Sequence, residues 1–268
     1  MAKTRFAIIE TGLWDVPRNE IIAPETPEIA AENRRYTIPG YVVLIDHPKL
    51  GKILFDTGNA DDWDKTWNDT MKTIYTWHTH YKLADKLKEL GLTPADIDLL
   101  VVSHLHYDHA GNINLFAGTK AGKNILISKQ EAQEAFVDVN LDNTGYFGAY
   151  WKREFLDIPG IGYQLIDKDT KLADDVELFI QEGHTPGVIG LILKTEKDGN
   201  FIITSDAIYS SNNFGPPVVL PGLCVNPVAY RANIERVRKI SDALNAQIIF
   251  SHDVENFKTY KKSPQWYE

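Results

Sequence analysis

Three histidines and an aspartate fall within six consecutive residues of this 268-residue chain. They are His104, His106, Asp108 and His109, in the run Ser-His-Leu-His-Tyr-Asp-His, which directly follows a short apolar segment. Side chains two apart on an extended segment project to the same side, so His104 and His106 can bind one metal ion while Asp108 and His109 turn toward another. Imidazole and carboxylate groups are ligands for zinc, and also for iron, manganese or cobalt.

Three further candidate ligands each come just after a short apolar segment. His184 lies in Gly-His-Thr-Pro-Gly, Asp206 follows Thr-Ser, and His252 lies in Ser-His-Asp. Loops at strand ends are positioned by a rigid sheet and often carry functional groups. His78 and His80, by contrast, have no carboxylate or cysteine close in sequence, and we expect them to face solvent or to form ordinary hydrogen bonds.

The composition restricts the partners and the cellular location. A net charge of −9 disfavours nucleic acid, whose binding draws on clustered lysine and arginine. Cys224 is the single cysteine, so no disulfide can form within the chain, as is usual in a reducing cytoplasm. The apolar stretch Phe6–Ile9 is too short for a signal-peptide core or a membrane span. We therefore expect a cytoplasmic protein with no nucleic-acid or membrane partner; the oligomeric state stays open, with a homodimer as one option.

Short apolar segments rich in β-branched residues recur along the chain and predict strands over Phe6–Ile9, Tyr41–Ile45, Ile53–Phe55, Leu99–Val102, Ile125–Ile127, Val176–Ile180, Ile189–Leu193, Phe201–Thr204 and Gln247–Phe250. Longer amphipathic segments predict helices over Tyr81–Leu90, Lys129–Val137 and Val228–Leu244. No linker or low-complexity tract interrupts the sequence, so we expect a single domain over residues 1–268. This order of elements favours two β-sheets packed face to face with helices outside them.

Together, the His-x-His-x-Asp-His motif, the later Gly-His-Thr-Pro-Gly, the strand-end aspartate and the C-terminal Ser-His resemble the metallo-β-lactamase superfamily. The resemblance extends from Asp56-Thr57-Gly58 to His252. It implies an α/β fold, a four-layer αβ/βα sandwich with a metal site at one edge between the sheets. It also implies two divalent metal ions, with zinc as the expected metal, held by His104, His106 and His184 at one position, by Asp108, His109 and His252 at the other, and by Asp206 between them.

Such a pair of ions lowers the pKa of a shared water to about 7 and supplies hydroxide at neutral pH. Asp108, bound through one oxygen, can accept and return a proton with the other, so we expect it to be catalytic. Asp56 has two open interpretations: it orients ligand imidazoles, or it caps the turn before Gly58.

The superfamily hosts many substrates, and the ligand set excludes some of its branches. Zinc β-lactamases use a cysteine in the second site, whereas here His109 is present and Cys224 is not at a ligand position. Diiron flavoproteins of this fold have a glutamate where His106 stands, and transfer-RNA endonucleases carry basic surfaces. Thioesterases of the glyoxalase II type share all seven ligands and remain the alternative.

Tyr209, three residues after Asp206, favours a lactonase over a thioesterase. In the N-acyl homoserine lactonases of this superfamily a tyrosine at that spacing hydrogen-bonds the substrate carbonyl, and a phenol there can donate to a developing oxyanion. The other interpretation of Tyr209 is simple packing at the sheet edge. We predict a quorum-quenching hydrolase that opens the ester ring of N-acyl homoserine lactones, or of a related small lactone, by attack of a metal-bridging hydroxide. Asp108 and Tyr209 are the predicted catalytic residues.

Two features depart from those lactonases. The metal motif continues as Ala-Gly-Asn rather than Ala-Gly-Gly-Asn, and the stretch from His109 to His184 is longer than expected. That stretch includes an aromatic, glycine-bearing run over residues 143–151, and the segment 58–80 carries three tryptophans. Either the two segments build an apolar pocket for an acyl chain, or they pack against each other. In the first case Trp151→Ala should raise KM for long-chain substrates more than for short ones.

Overall fold

The computed structural model describes residues 3–141 and 146–268. The strands are, in chain order, β1 Arg5–Pro17, β2 Arg35–His47, β3 Gly51–Phe55, β4 Thr76–His80, β5 Leu99–Val101, β6 Ile125–Ser128, β7 Tyr146–Phe147, β8 Tyr150–Trp151, β9 Tyr163–Ile166, β10 Thr170–Ala173, β11 Val176–Gln181, β12 Val188–Lys194, β13 Asn200–Ile203 and β14 Ala246–Ile249.

The helices are α1 Arg18–Ile21, α2 Pro27–Ala31, α3 Trp63–Thr66, α4 Asp69–Ile74, α5 Leu83–Glu89, α6 Tyr107–Ala110, α7 Lys129–Asp138, α8 Lys152–Phe155, α9 Ser211–Phe214, α10 Pro227–Leu244 and α11 Val254–Thr259. Short 3₁₀ helices cover Pro94–Asp96, Ile113–Phe116, Gly122–Asn124 and Ser205–Ala207. Within the described part of the chain, no helix is both long enough and apolar enough to cross a bilayer.

The strands form two main sheets. One has seven strands in the order β4-β1-β2-β3-β5-β6-β9, and the other has five in the order β10-β11-β12-β13-β14. Strands β1 to β3 pair antiparallel, whereas β3, β5, β6 and β9 run parallel. The short pair β7-β8 forms a separate hairpin.

Because side chains alternate along each strand, one face of each sheet packs against the other sheet and the opposite face packs against helices, which gives four layers. On β1, Ile8 belongs to the buried cluster between the sheets, and its neighbour Ile9 belongs to the cluster under α5 and α7. Helix α10 covers the outer face of the five-stranded sheet, where Ile234 and Val237 pack with Phe179 and Ile202. The predicted four-layer sandwich is confirmed.

The predicted strands and amphipathic helices are present, but β1 and β2 extend much further than the sequence indicated. Both have thirteen residues, and their pairing continues past a register shift between Glu10 and Gly12. Strand β4 was not predicted at all, because its sequence Thr-Trp-His-Thr-His shows little apolar alternation. It is an edge strand whose order comes from pairing with β1, which illustrates how strand formation depends on context.

Candidate metal centre

The seven predicted ligands meet at one edge of the sandwich. His104 to His109 follow β5, His184 follows β11, Asp206 follows β13 and His252 follows β14. The structure brings them together in two groups, each with donor atoms within 4.8 Å of one another: His104, His106 and His184; and Asp108, His109, Asp206 and His252. Each group therefore takes members from both sheets.

The first group consists of converging imidazole nitrogens. Nε2 of His184 lies 3.0 Å from Nδ1 of His106 and 3.3 Å from Nε2 of His104. Burial and the neighbouring imidazoles hold the pKa of His104 and His106 well below the usual range, so both rings are neutral. A hydrogen bond needs one donor and one acceptor, and the three nitrogens cannot all be satisfied by protons shared among themselves.

The second group combines two imidazoles with two carboxylates. Nε2 of His109 and Nε2 of His252 each lie 3.2 Å from Oδ1 of Asp206. Burial opposes protonation of both rings, but the carboxylates of Asp206 and Asp108 outweigh it and raise the pKa of His109 and His252. Nε2 of His109 and Oδ1 of Asp206 are buried and form no hydrogen bond with suitable geometry to a described residue.

Asp206 stands between the two groups. Its Oδ1 faces the second group, and its Oδ2 lies 3.7 Å from Nε2 of His104 and 3.6 Å from Nε2 of His184. Burial favours the protonated form, yet His252 and His109 outweigh it and hold the pKa of Asp206 well below its usual range. A charged carboxylate, converging imidazoles and unpaired buried atoms together fit a divalent metal ion, because such an ion satisfies all of them at once.

The outward-facing nitrogens of the ligand rings are held by the protein. Nδ1 of His104 lies 3.0 Å from the Ser103 hydroxyl, and Nδ1 of His252 lies 3.1 Å from the Pro39 carbonyl. When these rings are neutral, a proton on Nδ1 leaves the lone pair of Nε2 directed at the group.

Asp56 holds the outward-facing nitrogen of the His109 ring in the same way. Its Oδ2 lies 2.8 Å from Nδ1 of His109, and its Oδ1 accepts the Ser103 N–H at 2.6 Å. Of the two interpretations left open by the sequence, the contacts support the orientation of a ligand imidazole.

Glu131 is a buried carboxylate that sequence reasoning missed. It accepts the backbone N–H of Leu105, which lies between two ligands, and the hydroxyl of Thr185, which follows a third. Ser128 and Glu131 form the Ser-x-x-Glu pattern that starts many helices, so the sequence signals a local cap. Ser128 does accept the Glu131 N–H, but the carboxylate reaches across to tie two ligand loops together.

Tyr209 reaches the pocket in front of the ligands. It is 2% exposed, and its hydroxyl lies 2.9 Å from Nδ1 of His184, which is also 3.2 Å from the Leu223 carbonyl. The pocket is lined by Val16, Glu20, Ile21, Ile38, Tyr75, His106, Tyr107, Asp108, Ala149, His184, Asp206, Tyr209, Leu223 and His252.

The two aromatic segments pack against each other. Trp67, Tyr107 and Trp151 form a buried cluster, with Trp63 and Trp77 at its border. This arrangement matches the packing interpretation, while Tyr75, Tyr107 and Ala149 contribute to the pocket wall. Residues 142–145 of the predicted aromatic run lie outside the described residues.

The expectations for His78 and Cys224 are borne out by their contacts, whereas His80 is half-buried against Trp63 and Trp77, and its Nε2 has no hydrogen-bond partner among the described residues. His78 is half-exposed and its Nε2 lies 2.9 Å from Oδ1 of Asp15. The Cys224 thiol lies 3.4 Å from the Gly183 carbonyl and belongs to neither ligand group.

Comparison with known proteins agrees with this geometry. The chain is 30% identical over 275 residues to N-acyl homoserine lactonase AiiB of Agrobacterium fabrum, with 96% of each chain covered. It is equally identical over 275 residues to the N-acyl homoserine lactonase of Bacillus cereus, covering 99% of this chain and 100% of the other.

Among solved structures, a quorum-quenching N-acyl homoserine lactone hydrolase superposes with a TM-score of 0.81 at 25% identity, covering 100% of this chain and 99% of the other. Residues 35–252 match the family described as the metallo-beta-lactamase superfamily. The chain therefore belongs to the metallo-β-lactamase superfamily, and it is similar to the N-acyl homoserine lactonases over nearly its whole length.

Proposed function

We propose that this protein is a dinuclear zinc lactonase that opens the ester ring of N-acyl homoserine lactones, and thereby quenches quorum signals. The observation that carries the proposal is the position of Tyr209, whose hydroxyl lies in the pocket formed by both ligand groups. Relatives at 30% identity that cover nearly the whole chain are N-acyl homoserine lactonases, which supports the same substrate class.

His104, His106 and His184 would hold one ion, and Asp108, His109 and His252 the other, with Asp206 facing both. Two divalent ions bound there would supply hydroxide at neutral pH and polarise the ester carbonyl. The chain itself contributes apolar side chains at Val16, Ile21 and Ile38 to the pocket wall, and such a lining strengthens electrostatic interactions beside it.

In this proposal Tyr209 stabilises the charge that develops on the carbonyl oxygen of the lactone. The side of the His184 ring away from the ligand group faces both the Leu223 carbonyl and the Tyr209 hydroxyl. A proton on Nδ1 of His184 is donated to these oxygens, which leaves the phenolic proton of Tyr209 free to be donated to the substrate.

In this proposal Asp108 transfers the proton that ring opening requires. Its carboxylate lines the pocket, with Oδ2 3.6 Å from Nε2 of His252 and 3.8 Å from Nε2 of His109. An oxygen of Asp108 that is not engaged by the ligand group can take the proton of the attacking water. It can then return that proton to the alkoxide of the opened ring.

The test is acid release at fixed pH on purified protein of known metal content. The panel contains short- and long-chain N-acyl homoserine lactones, γ-butyrolactone, S-lactoylglutathione and a phosphodiester. We expect metal-dependent opening of the homoserine lactones. Tyr209→Phe should lower kcat/KM by about 10- to 100-fold because it removes one oxyanion donor, with metal content unchanged.

Tyr81→Phe, on an exposed side chain, serves as the matched control and should behave like the wild type. Turnover of the thioester with the lactones untouched would replace the lactonase by a thioesterase of the glyoxalase II type. Full lactonase activity in Tyr209→Phe would remove the proposed role of the phenol.

A further inference from the structure

One wall of the pocket carries a carboxylate that takes no part in the proposed reaction. Glu20, on α1, lines the pocket together with Tyr75, Tyr209 and Asp108, and it belongs to neither ligand group. Among the described residues that line this pocket, it is the one carboxylate outside those groups.

The carboxylate of Glu20 is only weakly satisfied by the protein. Each of its oxygens lies 3.2 Å from the Tyr75 hydroxyl, longer than the usual O–H···O distance of about 2.7–2.8 Å. One hydroxyl hydrogen is shared by two oxygens that offer about four acceptor sites between them. Burial, opposed by Tyr75 and Arg35, raises the pKa of Glu20 to about 7, which reflects this poor compensation.

The backbone holds Glu20 in place at the pocket. Its carbonyl accepts the N–H groups of Gly222 at 3.0 Å and of Leu223 at 3.2 Å, and Leu223 lines the pocket as well. The contact between the two segments is close, since a Cβ on Gly222 would lie 1.9 Å from the Asn19 carbonyl oxygen. The backbone that carries this carboxylate is therefore held against the Gly222–Leu223 segment, beside the pocket wall.

The nature of the ligand follows from these contacts. An alkyl chain lying against Glu20 would displace water from the carboxylate and offer no donor in return, which is unfavourable for a buried polar group. A hydroxyl group at the same place would replace that water with a direct hydrogen bond. Cationic groups are disfavoured because they would enter beside the two divalent ions that the ligand groups would hold.

We propose that Glu20 is a specificity-determining hydrogen-bond acceptor that selects lactones with a hydroxyl-substituted acyl group over lactones with an unsubstituted acyl group of the same length. The proposal rests on the lactonase function proposed above and names the substrate class within it. A site that accepts a hydrogen bond from a substrate hydroxyl discriminates strongly against the analogue that lacks it.

The experiment compares kcat/KM for matched substrate pairs: N-butanoyl with N-(3-hydroxybutanoyl) homoserine lactone, and N-hexanoyl with N-(3-hydroxyhexanoyl) homoserine lactone. In the wild type we expect the hydroxylated member of each pair to be favoured about tenfold or more. In Glu20→Leu the ratio should fall to about one or invert, because the acceptor is lost and the wall becomes apolar. Glu20→Gln keeps an acceptor oxygen and should retain a ratio above one.

Glu25→Leu changes an exposed carboxylate on the same segment and should keep the wild-type ratio. Because each ratio is measured within one protein sample, partial misfolding of a variant cancels. If all lactones are opened but the wild-type ratio is near one, or Glu20→Leu keeps it, the inference is wrong while the lactonase function stands. If no lactone is opened by the metal-loaded wild type, the proposed function is overturned, and the inference with it.

Discussion

The Glu131 carboxylate should make the stability of the metal-free protein depend on pH. It is fully buried and accepts hydrogen bonds from Leu105 and Thr185. Burial, only partly offset by these bonds, raises the pKa of Glu131 from 4.5 to about 7. The folded state therefore binds a proton that the unfolded state has released between these two pH values.

The sign and size of the effect follow from proton linkage. Where the folded state binds more protons than the unfolded state, the free energy of unfolding falls as pH rises. The stabilisation from Glu131 is complete below pH 4.5 and is lost as pH rises through about 7. The full increase in the pKa of Glu131 corresponds to about 3 kcal/mol of unfolding free energy. About 2–3 kcal/mol of this is lost between pH 5 and pH 8.

Glu131→Gln removes the titration and keeps groups that can pair with Leu105 and Thr185. Urea unfolding of metal-free wild type and variant across this pH range measures the difference between their unfolding free energies. We expect the unfolding free energy of the variant, relative to that of the wild type, to increase by about 2–3 kcal/mol between pH 5 and pH 8. Glu134→Gln, at a half-buried position on the same helix, is the control, and its unfolding free energy should change with pH as that of the wild type does. A constant difference between Glu131→Gln and wild type across the range would refute the reasoning.

Two further changes test the support of the ligand loops. Asp56→Asn removes the charge facing Nδ1 of His109 and should weaken metal binding about 10- to 100-fold, measured by competition with a chromophoric chelator. Exposed Asp64→Asn is its control, and unchanged affinity in Asp56→Asn would speak against the orienting role. Gly187→Ala would place a Cβ 2.1 Å from the Ser128 hydroxyl and 2.8 Å from the Glu131 nitrogen, and should lower the free energy of unfolding by about 1–3 kcal/mol. A urea midpoint equal to that of the wild type would contradict this.

The convergence of the seven candidate ligands could be predicted because they carry a dense and ordered signal. His104, His106, Asp108 and His109 stand within one short run, and the other three candidate ligands each follow an apolar strand. Parallel strands of one sheet end at the same edge, so residues far apart in sequence can be expected to meet. The roles assigned to those residues rest on similarity to known lactonases and on the proposals above.

Glu131 and Glu20 could not be predicted because their partners are distant in sequence. Glu20 meets Tyr75 fifty-five residues away, and Glu131 meets Thr185 fifty-four residues away. Locally, Glu131 follows a common helix-start pattern, and Glu20 lies in a polar stretch without a motif. Strand β4 could not be predicted for a related reason, because its sequence has little apolar alternation and its order depends on pairing with its neighbour β1.

The distribution of the ligand groups over both sheets has a mechanical consequence. The first group joins His104 and His106, after a strand of the seven-stranded sheet, to His184, after a strand of the five-stranded sheet. An ion bound there is a cross-link between the two halves of the sandwich, comparable in effect to a disulfide. Substitutions in the packing between the sheets, far from any ligand, should then alter metal affinity by changing how well the two halves align.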